Sequence, residues 1–290
     1  MTDTVRTAPT LQRGYLIAGG LRLHHVWGGE GEAVLFLHGL GSAGDIGWRY
    51  ALPAIARKHL VLAPDMPGFG RSEKPRSGYG LGLFTASVIS YLDALGIAKA
   101  AVVGVSMGGR VALELARRYP QRLSRLILVD ALGLGFPRVL GHAVFMLPGV
   151  GETALTVSNA VLRYVPAEGL RRATARLRLF RYPERSLDDA YLEAIRDVTL
   201  ERRSNSAYLA TLRSLARRGA EDLSGELAHL PMPVRLIWGA DDVLFPVEQA
   251  WRAHALTPEA RLAVIEDAGH SPEIEQPDAF NSSLERFLHD

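Results

Sequence analysis

The 290-residue chain contains no cysteine. That excludes disulfide bridges, thiolate metal centres and a cysteine nucleophile. Lysine is scarce: with only Lys58, Lys74 and Lys99 present, arginine supplies the other 30 of the 33 basic residues. The formal net charge is only +2, and no stretch gathers basic residues with interleaved aromatics, which argues against nucleic-acid binding. No uninterrupted apolar run approaches the ~18–20 residues of a membrane span. The first residues, MTDTVRTAPTLQRGYLIAGG, lack a basic segment followed by an apolar core. No secretory signal is therefore expected, and the expected location is cytoplasmic. Repeats and low-complexity tracts are also missing.

What is present is an ordinary globular composition, 48% hydrophobic and 22% charged, long enough for one large α/β domain or two small ones. GYLIAGGLRLHHVWGGEGE alternates around two Gly-Gly pairs, as a strand hairpin does. Short apolar runs follow at 33–39, 59–65, 100–106, 123–131, 233–241 and 260–270, with helical patterns near 83–95, 107–118, 247–255 and 277–289. Almost continuously apolar strands alternating with helices predict an α/β protein with a mostly parallel, doubly wound sheet covered on both faces.

One interval breaks this rhythm. From 133 to 222 there is no convincing strand, only helical patterns punctuated by Pro137, Pro148, Pro166 and Pro183, with 14 arginines and no lysine. It is too long for a structureless loop. The expected organisation is a core made of residues 1–132 and 223–290, interrupted by a helical cap at 133–222. Phe136, Phe145, Met146, Leu147, Phe180 and Tyr182 are candidates to line a pocket beneath it. Its arginines suit either solvated helix faces or a substrate carboxylate.

The stretch VVGVSMGGRVALELA, residues 102–116, joins an apolar run to a helical pattern through Gly104-Val105-Ser106-Met107-Gly108. A serine between glycines at a strand-to-helix turn sits with its hydroxyl above the sheet edge, where helix N–H groups face developing negative charge. Such a hydroxyl needs a base, and the base needs an orienting acid. Of nine histidines, His270 in EDAGHSPEIEQP follows the last apolar run, so it lies at the same sheet edge as Ser106. LIWGADDVLFP offers Asp241 and Asp242 at the end of the preceding run, and Asp130 in LILVDAL is a rival. The glycine-rich turn FLHGLGSAG supplies backbone N–H groups, so Leu40 and Met107 are the expected oxyanion-hole donors. His38 is expected to hold that turn in shape.

Taken in order, LHGLGS, APDMPGFGRSEKP, GVSMGGRVALELARRYP, LILVDA, WGADDVLFP and DAGHSPEIEQP resemble the motifs of the α/β-hydrolase fold family, in its capped esterase and C–C hydrolase branch. The resemblance spans about residues 14–289. It implies that the acid is Asp242, four residues before Pro246, rather than Asp241. It also implies a serine hydrolase that cleaves a small-molecule carboxylic ester through Ser106, His270 and Asp242, needing neither metal nor cofactor. A serine at 106 departs from the dehalogenase and epoxide hydrolase branches, whose nucleophile is aspartate. Val105 and Ser271 stand where ring-cleavage C–C hydrolases usually carry asparagine and tryptophan, which points away from that alternative. SMGGR, with Arg110, is similar to a lyase of the menaquinone pathway, a second alternative on the same fold.

Overall fold

The computed structural model describes residues 9–137, 143–177, 180–218 and 221–289. The first two strands, β1 (Gln12–Ala18) and β2 (Leu21–Gly28), form the expected hairpin. Its turn residues Gly19 and Gly20 have φ +57° and +78°, the left-handed pair that matches strand twist in a two-residue connection. There follow β3 (Ala33–Leu37), β4 (Leu60–Pro64), β5 (Ala100–Val105), β6 (Leu123–Val129), β7 (Val234–Gly239) and β8 (Arg261–Ile265).

All eight strands form one sheet in the order β1-β2-β4-β3-β5-β6-β7-β8. The β1–β2 and β2–β4 pairs are antiparallel and the rest are parallel. Every residue of β3, β5 and β7 is buried. That explains why these runs are continuously apolar: helices cover both faces, so neither side-chain set meets water.

Period two is nonetheless visible in the packing. Leu35, Leu37, Val102, Leu126, Leu128 and Leu236 share one cluster with Phe84, Val111 and Leu115 of the helices Leu81–Ala94 and Met107–Arg118. Their strand neighbours Val34, Phe36, Val103, Ile127 and Ile237 share the opposite cluster with Trp48 and with Phe280 and Leu284 of the helix Pro277–His289. Each such side chain contributes about 1.5–3 kcal/mol by leaving water. Together the two clusters hold the sheet rigid, and its C-terminal edge is therefore a stable platform.

Two features shape that edge. Chain order reverses between β3 and β5, which flank each other in the sheet, and such a switch point opens a crevice above the strand ends. Between β6 and β7 the described residues hold six α-helices, Ala143–Met146, Val150–Leu162, Ala167–Leu177, Pro183–Ser186, Asp189–Leu200 and Ser204–Arg218, then the 3-10 helix Ser224–His229, and no strand. The Leu223 N–H donates to the Gly133 carbonyl at 2.7 Å, so this segment leaves and rejoins the sheet-bearing part at one point. Among the described residues, no helix is long and apolar enough to cross a membrane.

Candidate active site

Ser106 occupies the corner between β5 and the helix Met107–Arg118 with φ +54° and ψ −116°, a left-handed conformation that costs a non-glycine residue energy and recurs at functional sites. The flanking glycines make the corner possible. A Cβ on Gly104 would lie 2.3 Å from the Gly108 carbonyl oxygen, and one on Gly108 would lie 2.1 Å from that of Leu37. The strain is held from both sides. The Ser106 N–H donates to the Val129 carbonyl at 3.0 Å, while its own carbonyl accepts from Arg110 and Leu132, both at 3.1 Å.

Asp242 and His270 meet at the same edge. His270 Nδ1 lies 2.8 Å from Asp242 Oδ2. The other oxygen, Oδ1, accepts from the N–H groups of Leu244 at 2.8 Å and Phe245 at 3.0 Å, a local turn that fixes the carboxylate before the histidine arrives. Phe245 in turn packs on the imidazole, with ring centroids 5.3 Å apart, and its carbonyl accepts from Trp238 Nε1 at 2.7 Å. Asp241, the adjacent candidate, instead pairs with Arg181 at 3.1 Å on the surface.

Asp130, the third candidate, is fully buried beside this pair. Its Oδ1 accepts from Gly239 N–H at 3.0 Å. Burial first, and then the charge of Asp242, push its carboxyl well above the ordinary carboxylate range. One atom each from Asp130, Asp242 and His270 lie within 4.8 Å of one another. His270 and Asp242 are bonded to each other and the shift favours the protonated form of Asp130, so the trio can act as an acid–base set.

Ser106 and His270 line one cavity of about 480 Å³, within the ~300–1,000 Å³ of small-molecule sites. Leu40 and Met107 line it too. Met107 is the first residue of its helix, so its N–H has no acceptor within the helix. His38 lies beneath the turn: Nδ1 is 2.8 Å from the Gly39 carbonyl, and Nε2 accepts from Met66 N–H at 2.9 Å. Both ring nitrogens are thus occupied, and burial lowers its pKa. His38 braces the turn that carries Leu40.

The pocket wall differs in part from the residues expected to form it. Met146 and Phe180 line the cavity, but Phe136 and Leu147 are 65% and 57% exposed. Neither Phe145 nor Tyr182 is among the lining residues; Tyr182 Oη instead reaches Asp267 at 3.3 Å. The wall is built mainly from Tyr191 and Ile195 of one helix and Tyr208, Leu212 and Leu215 of another. Their i, i+4, i+7 spacing was the available signal, but it reads equally as core packing. Arg110 turns away from the cavity into a buried pair with Glu114 at 2.9 Å. Arginines between β6 and β7 bind carboxylates too: Arg171 with Asp189, Arg172 with Glu168, Arg213 with Glu152.

This sheet order, a strained serine after β5 and an Asp–His pair carried past β7 and β8 define a class. The chain belongs to the alpha/beta hydrolase fold family, whose sequence profile matches residues 32–277. It is 31% identical over 279 residues to the 2-hydroxymuconate semialdehyde hydrolase of Pseudomonas putida, covering 94% of this chain and 92% of that one. Among solved structures, the meta-cleavage product hydrolase CumD of Pseudomonas fluorescens IP01 matches with TM-score 0.78 and 27% identity over 95% of this chain and 97% of that one. The enol-lactonase of Burkholderia xenovorans LB400 matches with TM-score 0.74 and 26% identity over 96% and 100%.

Proposed function

We propose that the protein is a serine hydrolase of carboxylic esters, with residues 133–222 acting as a cap over the cavity. The observation that carries this reading is the 2.8 Å Asp242–His270 bond at the wall of the cavity that Ser106 enters from a strained turn. His270 takes the Ser106 proton as Oγ attacks the ester carbonyl, and Asp242 holds the imidazole tautomer and stabilises the imidazolium. The N–H groups of Leu40 and Met107 receive the oxyanion. His270 then protonates the departing alcohol, and water repeats the attack on the acyl-enzyme.

A second reading is hydrolysis of a C–C bond in a dienoate, which the names of the Burkholderia cepacia and Comamonas testosteroni relatives favour. Against it stands the wall itself: among the described residues it contains no Lys or Arg. A dienoate carries a carboxylate, and a carboxylate buried without a cation is costly. The name of the similar enol-lactonase, whose substrate is a cyclic ester, supports the ester reading. The test is steady-state hydrolysis of p-nitrophenyl esters from acetyl to palmitoyl beside a ring-cleavage dienoate, for wild type and Ser106→Ala. A chain-length optimum that the variant abolishes supports ester cleavage. Turnover of the dienoate alone supports the second reading instead.

A further inference from the structure

Ester cleavage as proposed leaves one buried acid of the cavity without a task. Glu273 lies in the short helix Pro272–Glu275, directly after the His270 loop. It is 3% exposed, it lines the cavity, and its Oε2 has no hydrogen-bond partner. Glu275, two residues on, shows what a structural acid here looks like. Its carboxylate accepts from the backbone N–H of Gly269 at 2.8 Å and from those of Arg181 and Tyr182, stitching the histidine loop to the β6–β7 segment. Glu273 makes no such stitch. An unpaired buried polar atom is a standing cost that only a ligand or a neighbour can relieve.

The groups around Glu273 set its form. Facing it are Asp242 from the loop after β7, Asp130 from the end of β6, Glu275 on its own helix and Tyr191 from the helix Asp189–Leu200. The described lining contains no Lys or Arg, and His270 is engaged with Asp242. Burial first, and then the nearby carboxylates, push Glu273 up to about 8. At neutral pH it therefore carries a proton and is a hydrogen-bond donor in a mostly apolar wall, whose other polar groups include the hydroxyls of Ser42, Thr174, Tyr191, Tyr208 and Ser271.

We propose that Glu273 is a specificity-determining residue that hydrogen-bonds an uncharged second oxygen of the substrate, so that oxo esters are preferred over alkyl esters of equal length. The inference rests on the ester reading and adds a substrate class to it. Alkaline pH converts the donor into a carboxylate, which offers no proton to a ketone and repels a substrate acid.

The test uses pairs of p-nitrophenyl esters matched in length, with a ketone placed at successive acyl positions from C4 to C7, and one half-ester of a dicarboxylic acid. Wild type, Glu273→Gln and Glu273→Met are assayed at pH 6.5 and pH 9. At pH 6.5 at least one oxo ester should exceed its alkyl match in kcat/KM by about 5- to 10-fold, the effect of one buried hydrogen bond. Glu273→Met should remove that preference, and Glu273→Gln, whose amide still donates, should keep it. At pH 9 wild type should lose it while Glu273→Gln retains it. The half-ester should be the poorest wild-type substrate at both pH values.

A ratio that is the same in wild type and Glu273→Met for every pair would overturn the proposal, as would a wild-type ratio unchanged at pH 9. If wild type hydrolyses no ester at all, the ester reading fails. The same pairs are then compared by calorimetric Kd on Ser106→Ala with and without Glu273→Met, which reads Glu273 separately. Equal Kd ratios overturn its role, and a ratio lost in the double variant supports it.

Discussion

Asp65, one residue past β4, and Asp130, one residue past β6, are both completely buried strand-end aspartates, yet their surroundings treat them in opposite ways. Asp65 receives the Gly44 N–H at 2.7 Å, the Arg71 N–H at 2.8 Å and the His24 ring at 3.0 Å. Burial alone would raise its pKa, but the His24 ring and the Arg71 N–H hold it below the ordinary value. Asp130 has one backbone donor, an unpartnered Oδ2, a left-handed φ of +39° and the Asp242 carboxylate beside it. Away from the cavity the fold completes its buried acids. Beside the active site it sets Asp130 against Asp242, which favours the protonated form of Asp130, and at the cavity wall it leaves Glu273 with an unpartnered Oε2. Full pairing marks a structural acid, and incomplete pairing at a cavity wall marks one whose partner is yet to come.

The contrast fixes opposite pH dependences. Asp65 has a depressed folded pKa, so its stabilisation is present above about pH 3.9, the unfolded value, and is lost as pH falls through the lower folded value. Asp130 and Glu273 have raised folded values. Their native forms bind protons that the unfolded chain has released, so stability declines as pH rises from about 4 toward each folded pKa.

Asp242→Asn should have the largest effect at the cavity. An amide facing His270 Nδ1 favours the wrong tautomer, so kcat on an ester should fall by about 10⁴-fold with the fold intact by circular dichroism. At the other region, Asp65→Asn places an amide among three donors. Urea unfolding at pH 7 should show a loss of about 2–4 kcal/mol. The same Asp→Asn change at 130 replaces one uncharged group with another and keeps an acceptor for Gly239. It should move stability by less than about 1 kcal/mol; a loss as large as that at 65 would break the contrast. The smallest expected effect is a slope. Between pH 5 and 8, Glu273 contributes a declining part of the unfolding free energy, against a rising part from His25, His38 and His59, whose folded pKa values are lowered, so Glu273→Gln should make the pH slope less negative than that of wild type.

The elements that carry these acids were largely legible in the sequence, because strands buried on both faces and helices with one apolar face leave different periods. Ser106 and His270 could be picked out because each follows a strand run, and a parallel sheet brings those ends to one edge. Between Asp241 and Asp242, adjacency defeats pattern: both end the same strand, and only family resemblance favoured the second. In the fold their separation has a physical basis, since Arg181 holds Asp241 at the surface while Leu244 and Phe245 N–H groups hold Asp242 inward. Glu273 was illegible for a different reason. An acid in the first turn of a helix is ordinary dipole complementation, and nothing local shows that Tyr191, 82 positions earlier, closes over it. The roles of Phe136 and Leu147 were equally hidden, because an apolar residue between helices faces a wall or water according to packing that has no short-range signature.

Acyl transfer to Ser106 is best tested by acid-quenching wild type within one turnover of a p-nitrophenyl ester and weighing the intact protein and its peptides. Serine catalysis requires a mass increase equal to the acyl group, on the peptide containing Ser106 and absent from Ser106→Ala. Full ester turnover with no adduct at any quench time, or an equal adduct on Ser106→Ala, would contradict it.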